Sequence, residues 1–234
     1  MSVLFNSRLE ISDKFGSLIH KENLTMQNII IFGASGKTGR ELIIQGIAAG
    51  YNITAFVRNP KKIEKFKGQV KIVQGDVLDS NAVTAAVSGQ DAVLCALGAP
   101  AKDNTMLRTR GTANIVQAMH AHGVQRLICQ TSLGFGDSED TLNWQMKYFV
   151  VPLLLKKAFA DHANQEAQIE GSNLDWTIVR PGNMTNGSRT GNYQTGFNGS
   201  QKIKLKVSRA DVAEFMLEQI GSQKYLKEKV CISY

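Results

Sequence analysis

Proline and cysteine are scarce in this sequence, and it has no long apolar run. Four prolines among 234 residues leave no Pro-rich linker. Three scattered cysteines, Cys95, Cys129 and Cys231, make neither an even disulfide framework nor a metal pattern, which points to a reducing compartment. The longest strongly apolar stretch, Tyr148 to Leu155, is eight residues long and contains Pro152. A bilayer span needs roughly 20 residues, so no membrane partner is expected. Residues 1–25 lack the charged and apolar regions of a secretory signal, and Glu10, Asp13 and Glu22 argue against a transit peptide. A cytoplasmic location is expected, in which Asn-x-Ser/Thr triplets such as those at Asn23 and Asn198 carry no glycosylation meaning.

What is present is a chain with 43% apolar and 20% charged residues, which excludes the disordered and collagen-like classes. Its length suits one domain, residues 26–234, preceded by an extension over residues 1–25. Two readings of that extension stand: an over-called start ahead of Met26, or a short helix or arm packed on the domain. Lys and Arg number 27 against 20 Asp and Glu, a net charge of +7 that asks for an anionic partner without saying which.

From Met26 onward, short β-branched runs alternate with segments of helical period. Strands are expected at Asn28–Phe32, Asn52–Val57, Val70–Val73, Ala92–Ala96, Arg126–Gln130 and Trp176–Val179. Helices are expected at Thr38–Ala49, Asp79–Ser88, Thr105–His120 and Arg209–Ile220, with a basic helix-like stretch over Pro60–Lys67 and Ser208 as an N-cap. Leu133–Thr141 reads as a polar loop and Leu142–Ser172 as two helices interrupted near Pro152. Gly182–Gly199 reads as a long loop, and Ile203–Val207 and Lys229–Ser233 as strands. Continuous apolar strands joined by helices imply a Rossmann-type doubly wound α/β domain with a parallel sheet, its C-terminal third covering one end.

Gly33-Ala-Ser-Gly36-Lys-Thr-Gly39 lies between a strand and a helix, the context in which a glycine pattern is informative. Gly33 suits the tight turn, Gly36 the approach of a pyrophosphate to the helix N-terminus, and Gly39 close helix-on-strand packing. A triphosphate loop needs a further glycine five positions before Gly36, where Ile31 stands. Selection of the unphosphorylated dinucleotide calls for Asp or Glu near the end of the second strand. Here Arg58, with Lys61 and Lys62 after it, offers cations to a 2′-phosphate instead, so NADP(H) is the expected cofactor; Lys65 and Lys67 read as a solvated basic face.

With the glycine turn, Val57-Arg58, Gly75-Asp76-Val77, Leu97-Gly98, Thr131-Ser132, Asp161-His162 and Pro181 in order, the chain resembles the atypical short-chain dehydrogenase/reductases. Within them it resembles the NAD(P)H-binding, NmrA-like family, and there the flavin and biliverdin reductases. The resemblance implies that Gly33, Ser35, Gly36, Lys37 and Thr38 hold the pyrophosphate and Arg58 and Lys62 the 2′-phosphate. It places Asp76 and Val77 beside the adenine, Leu97 and Gly98 beside a ribose, and Pro181, Gly182, Asn183 and Met184 over the nicotinamide. Thr131 and the active-site serine, Ser132, end the fifth strand, while His162 stands where relatives keep a Lys that contacts the nicotinamide ribose. Asn183 departs from the reductases, which have His there.

The Tyr-x-x-x-Lys pair of ordinary short-chain dehydrogenases is missing: position 162 is His, with Glu166 four residues on. Glu166 is either an orienting partner of His162 on one helix face or an exposed carboxylate. Trp144, Met146, Tyr148 and Phe149 are either a lid over a planar substrate or packing. His20, His120 and His122 have no metal-ligand partners and read as surface or helix-end residues; Asp175–Arg180 reads as a strand of structure alone. The expected function is an NADPH-dependent reductase of flavins, linear tetrapyrroles or similar planar acceptors, a monomer or weak homo-oligomer with no nucleic-acid partner. The rival readings are an NADP(H)-sensing binding protein without turnover and, last, a nucleotide-sugar epimerase, which needs the missing Tyr.

Overall fold

The structure, a computed structural model, describes residues 27–100, 103–142, 144–196 and 204–234. The N-terminal extension, Met26, His20, Ile203 and the Asn-x-Ser/Thr triplets at Asn23 and Asn198 lie outside the described residues.

The chain opens with β1 (Asn28–Phe32), α1 (Lys37–Ala48), β2 (Asn52–Val57), a 3-10 turn (Pro60–Phe66) and β3 (Lys71–Gln74). It continues through α2 (Ser80–Val87), β4 (Ala92–Cys95), α3 (Leu107–His122) and β5 (Arg126–Gln130). A 3-10 turn (Gly136–Thr141) and a wide π-helical segment (Met146–Leu155) then lead into α4 (Lys156–Glu170). The rest comprises β6 (Asp175–Pro181), β7 (Asn183–Thr185), β8 (Gln194–Thr195), β9 (Lys206–Ser208), α5 (Arg209–Glu218) and β10 (Glu228–Ser233).

Eight strands form one sheet in the order β3-β2-β1-β4-β5-β6-β10-β8, every pair parallel except β8 with β10. Strand alternation sends Ile29 and Ile31 into the layer with Leu42 and Ile43 of α1 and Val212 and Met216 of α5. Ile30 and Phe32 enter the opposite layer, with Val83 of α2, Ile115 and Met119 of α3 and Ile169 of α4. Both faces are covered, which is why β1 and β4 are apolar at consecutive positions. From β1 the chain winds outward to β3, then returns to β4 on the other side of β1 and winds the opposite way. A crevice opens at that reversal, outside the carboxyl ends of β1 and β4.

The first half follows the sequence pattern closely; the second departs from it. The sixth strand runs three residues longer than expected, through Arg180 and Pro181, because β5 and β10 bond to it from both sides. The expected loop 182–199 contains β7, which pairs in parallel with β9, and β8. The polar loop 133–141 is anchored by buried Leu133, Phe135 and Ser138. No helix break falls at Pro152: the backbone widens into the π-helical segment, and the irregular joint comes at Leu155 (φ −111°, ψ −5°). A wider turn tolerates a residue that has no N–H to donate. Among the described residues no helix is long and apolar enough to cross a membrane.

Candidate functional site

The crevice at the sheet's reversal holds a cleft of about 380 Å³, within the size range of small-ligand sites. The glycine turn forms its floor. Gly33 adopts φ +78°, and a Cβ there would stand 2.2 Å from the Ala96 carbonyl oxygen at the end of β4. A Cβ on Gly39 would stand 2.3 Å from the Gly33 oxygen and 2.7 Å from the Ala34 Cα, so only glycine lets α1 sit this close to the turn. Gly36 is the N-cap of α1 and provides no side-chain cap. The first N–H groups of a 12-residue helix are therefore available to an anion at the cleft.

Ser35, Lys37 and Thr38 line the cleft from the turn, and Phe56, Val57, Arg58 and Lys62 from the end of β2 and the 3-10 turn after it. Asn59 caps that turn, its side chain accepting from the Lys61 N–H at 3.1 Å, which fixes the backbone between the two cations. Of the basic cluster, Arg58 and Lys62 line the cleft while Lys61, Lys65 and Lys67 do not. Val77, Leu97, Gly98 and Met184 complete the sequence-predicted residues that the fold gathers here.

The other candidates stand outside the cleft lining. Asp76 turns back on its own loop, its carboxylate accepting from the Leu78 N–H at 3.0 Å. Asn183 is exposed on β7, where its backbone N–H donates to Leu205. The Pro181 carbonyl accepts from the Leu133 N–H, and the Ser132 hydroxyl donates to the Leu133 carbonyl at 3.2 Å. His162 is buried, its ring stacked on Phe135 with centroids 6.0 Å apart and its Nδ1 3.1 Å from Gln165 Oε1. Burial, helped by the nearby Arg108 cation, lowers its pKa to about 4, so it is neutral near pH 7.

Neither expectation for Glu166 holds. Its carboxylate is buried and bonds Arg180, through Nε at 2.9 Å and the terminal guanidinium nitrogen at 2.5 Å, and also accepts from Thr131 Oγ1 at 2.7 Å. Arg180, expected to be a plain strand residue, also reaches Asp137 and lies over the Phe135 ring, 5.2 Å from its centroid. Trp144, Tyr148 and Phe149 are more than half exposed, with Trp144 and Phe149 edge to face; the Met146 side chain is outside the described set. His120 and His122 end α3 and are exposed.

Sequence reasoning missed four lining residues that matter. Gly75 follows β3, where a Cβ would strike the Phe56 ring at 2.5 Å. Leu107 starts α3, whose first turn is capped by Asp161 of α4: its carboxylate accepts from the Arg108 and Thr109 N–H groups at 3.2 and 2.9 Å. Arg209 enters from the N-terminus of α5, held by Asn186 Oδ1 at 2.8 Å. Gln130 ends β5. For Gln130 a signal existed, a lone polar residue closing the run Leu127-Ile-Cys129.

The cleft fits a dinucleotide: a glycine cradle that Cβ atoms would fill, uncapped helix amides, and cations at one end. The profile of the NAD(P)H-binding family matches residues 33–223. The chain belongs to the NAD(P)H-binding family. This family member is 29% identical over 213 residues to an uncharacterised chloroplastic protein of Arabidopsis thaliana, covering 83% of this chain and 72% of that one. With the uncharacterised protein YwnB of Bacillus subtilis the identity is 26% over 213 residues, 86% and 96% of the two chains. Among solved structures, a Rossmann-fold NAD(P)-binding family protein from Shigella flexneri superposes with a TM-score of 0.70 at 28% identity, over 89% of this chain and 93% of that one. The anaerobilin reductase ChuY of Escherichia coli O157:H7 gives 0.74 at 24%, over 88% and 97%. A short-chain dehydrogenase/reductase from Veillonella parvula in complex with NADP gives 0.76 at 19%, over 89% and 94%. These last two share the fold.

Proposed function

We propose that this NAD(P)H-binding protein is an NADPH-dependent reductase of planar conjugated acceptors, flavins or linear tetrapyrroles. One observation carries the reading. The cleft lining contains no Asp, Glu, His, Cys or Tyr; its ionisable side chains, Lys37, Arg58, Lys62 and Arg209, are all basic. Alcohol oxidation and sugar epimerisation need a positioned acid or base, and His162 is buried, neutral and bonded to Gln165. A conjugated acceptor can draw its proton from water.

The α1 amides with Lys37 and Thr38 would hold the pyrophosphate, and Arg58 and Lys62 the 2′-phosphate. Val77 and Leu97, both buried, shield the path between. Bound NADPH supplies a hydride; the chain contributes orientation and a surface that keeps water away. Beside the Ser132 loop, a second hollow of about 240 Å³ presents Phe135, Phe159, Leu142 and Val151 together with Glu139 and Lys156, which suits a flat ring. ChuY, with the same fold, is an anaerobilin reductase. Cys95, Cys129 and Cys231 are free and buried.

A lining without Asp, Glu, His, Cys or Tyr also suits a protein that senses NADP(H) without turnover, and one assay separates the two. Purified protein is mixed with NADPH and FMN, riboflavin or biliverdin, and loss of the nicotinamide absorbance is followed. Acceptor-dependent oxidation supports the reductase. Tight NADPH binding with no oxidation above background leaves the sensor.

A further inference from the structure

Four large apolar side chains stand open to water around the π-helical segment. Trp144, Tyr148, Phe149 and Leu153 are 63%, 66%, 55% and 77% exposed, and among the described residues the one other exposed large apolar side chain is Ile44, on α1. A π-helix bonds residue i to i+5, so residues four and five apart share a face. Tyr148 and Leu153 are five apart, as are Trp144 and Phe149, and the crossed pairs are four apart. An α-helix, with about 3.6 residues per turn, would send residues five apart to different sides. The Trp144 and Phe149 rings meet edge to face, their centroids 5.8 Å apart. The widened backbone thus gathers on one face side chains that a regular helix would scatter, and such a cluster marks an interaction site.

Charge and area say which partner it fits. From Trp144 to Lys157 the sequence carries Lys147, Lys156 and Lys157 and neither Asp nor Glu. The nearest earlier carboxylates, Glu139 and Asp140, belong to the preceding 3-10 turn, and the next, Asp161, caps α3. Lys156 and Lys157 are exposed. An aromatic side chain offers about 150–250 Å² in all, so at these exposures the four residues present roughly 500 Å². A stable dimer buries about 800 Å² per partner, more than this face supplies. The apolar run is too short to cross a bilayer, but lying in the headgroup layer asks only for an apolar face accompanied by cations. Trp and Tyr favour that layer.

We propose that residues 144–157 dock the protein on an anionic phospholipid surface, with Trp144, Tyr148, Phe149 and Leu153 in the headgroup layer and Lys156 and Lys157 facing lipid phosphates. The inference is independent of the reading of the cleft. The same segment supplies Val151 and Lys156 to the second hollow, so lipid seated on it lies next to that hollow.

The test mixes the protein with vesicles of phosphatidylcholine alone and of phosphatidylcholine and phosphatidylglycerol two to one. Co-sedimentation gives the affinity. Tryptophan emission reports the contact, because Trp144 is exposed and Trp176 buried. Wild type should bind the mixed vesicles more tightly than the neutral ones, less tightly in high salt, and with a blue shift in emission. Tyr148→Ser with Leu153→Ser removes apolar surface that is already exposed, so it should melt with wild type and bind about ten-fold less tightly or worse. Lys156→Gln with Lys157→Gln, which keeps the apolar face, should lose roughly 10- to 30-fold on the mixed vesicles and little on the neutral ones. No binding to the mixed vesicles overturns the proposal. So does binding that both double variants retain in full, or that leaves tryptophan emission unmoved, which places the contact on another basic surface. A wild-type dimer in sedimentation velocity that the Tyr148/Leu153 variant loses overturns it too and assigns the face to a second copy of the chain.

Discussion

Replacing Arg180 with methionine tests the buried charge network under the Ser132 loop. The Arg180 and Glu166 side chains are 3% and 4% exposed and share two hydrogen bonds. Glu166 Oε1 also takes the Thr131 hydroxyl, and Arg180 holds Asp137 and underlies Phe135, so β6, α4 and the loop after β5 meet at one ion pair. Desolvation of two buried charges offsets most of their attraction, and the pair as a whole adds little to stability. Breaking it is another matter. Arg180→Met leaves the Glu166 carboxylate buried and uncompensated, which costs about 3–5 kcal/mol. For a chain of this size each kcal/mol moves the melting temperature by about 2–4 °C, so a drop of roughly 6–20 °C is expected. Arg180→Met combined with Glu166→Leu removes both charges, leaving mainly the Thr131 hydroxyl without its acceptor, about 1 kcal/mol. The double variant should therefore lie within about 2 kcal/mol of wild type, far above the single one. Urea unfolding of the four proteins measures the cycle. A cost below about 1 kcal/mol for Arg180→Met, or single effects that simply add, would refute the reasoning.

Two further outcomes follow from the site. His162 remains neutral in the folded protein to about pH 4, whereas an unfolded histidine protonates near pH 6.5. Between those values the unfolded chain binds more protons, so this contribution is full above about pH 6.5 and is lost as pH falls to about 4, in all roughly 3 kcal/mol. His162→Gln should flatten that part of a stability-against-pH profile; an unchanged slope refutes the assignment. Arg58→Asp should weaken NADPH binding roughly 10- to 100-fold, the size of a lost charge-assisted hydrogen bond, and NADH binding little. Equal weakening by titration would show that Arg58 does not read the 2′-phosphate.

The glycine-turn side of the cleft was legible because its determinants are local. A strand, a turn in which Gly33 and Gly39 leave no room for a Cβ, and a cation seven residues into β2 and its exit all sit within one stretch of chain. Periodicity finds such elements directly. The rest of the lining is drawn from residues far apart in sequence. Gln130, Leu107 and Met184 meet only after α3, β5 and β7 are in place, and Leu107 depends on Asp161, more than 50 residues on, to cap its helix. Asp161 was visible as a landmark and His162 as a candidate ligand, yet the fold uses one as a cap and buries the other against Phe135.

The same contrast governs the short strands. β7 and β9 pair over three residues each, too few to carry an alternation signal, and the loop before β8 is held by Asp211, whose carboxylate accepts from the Thr190 and Gly191 N–H groups at 2.6 and 2.9 Å. Nothing in a Gly- and Asn-rich stretch announces a partner twenty residues away. The net charge of +7 shows what such distance conceals: Arg58 and Lys62 could be singled out from their place after the second strand, but Arg209, from the far end of the chain, enters the same cleft with no motif to mark it. The glycine turn and the cations after β2 are thus written in the first 62 residues, whereas Gln130, Met184, Arg209 and the loops around the second hollow belong to the second half. A family that keeps the glycine turn and varies those loops can change its acceptor without changing its cofactor.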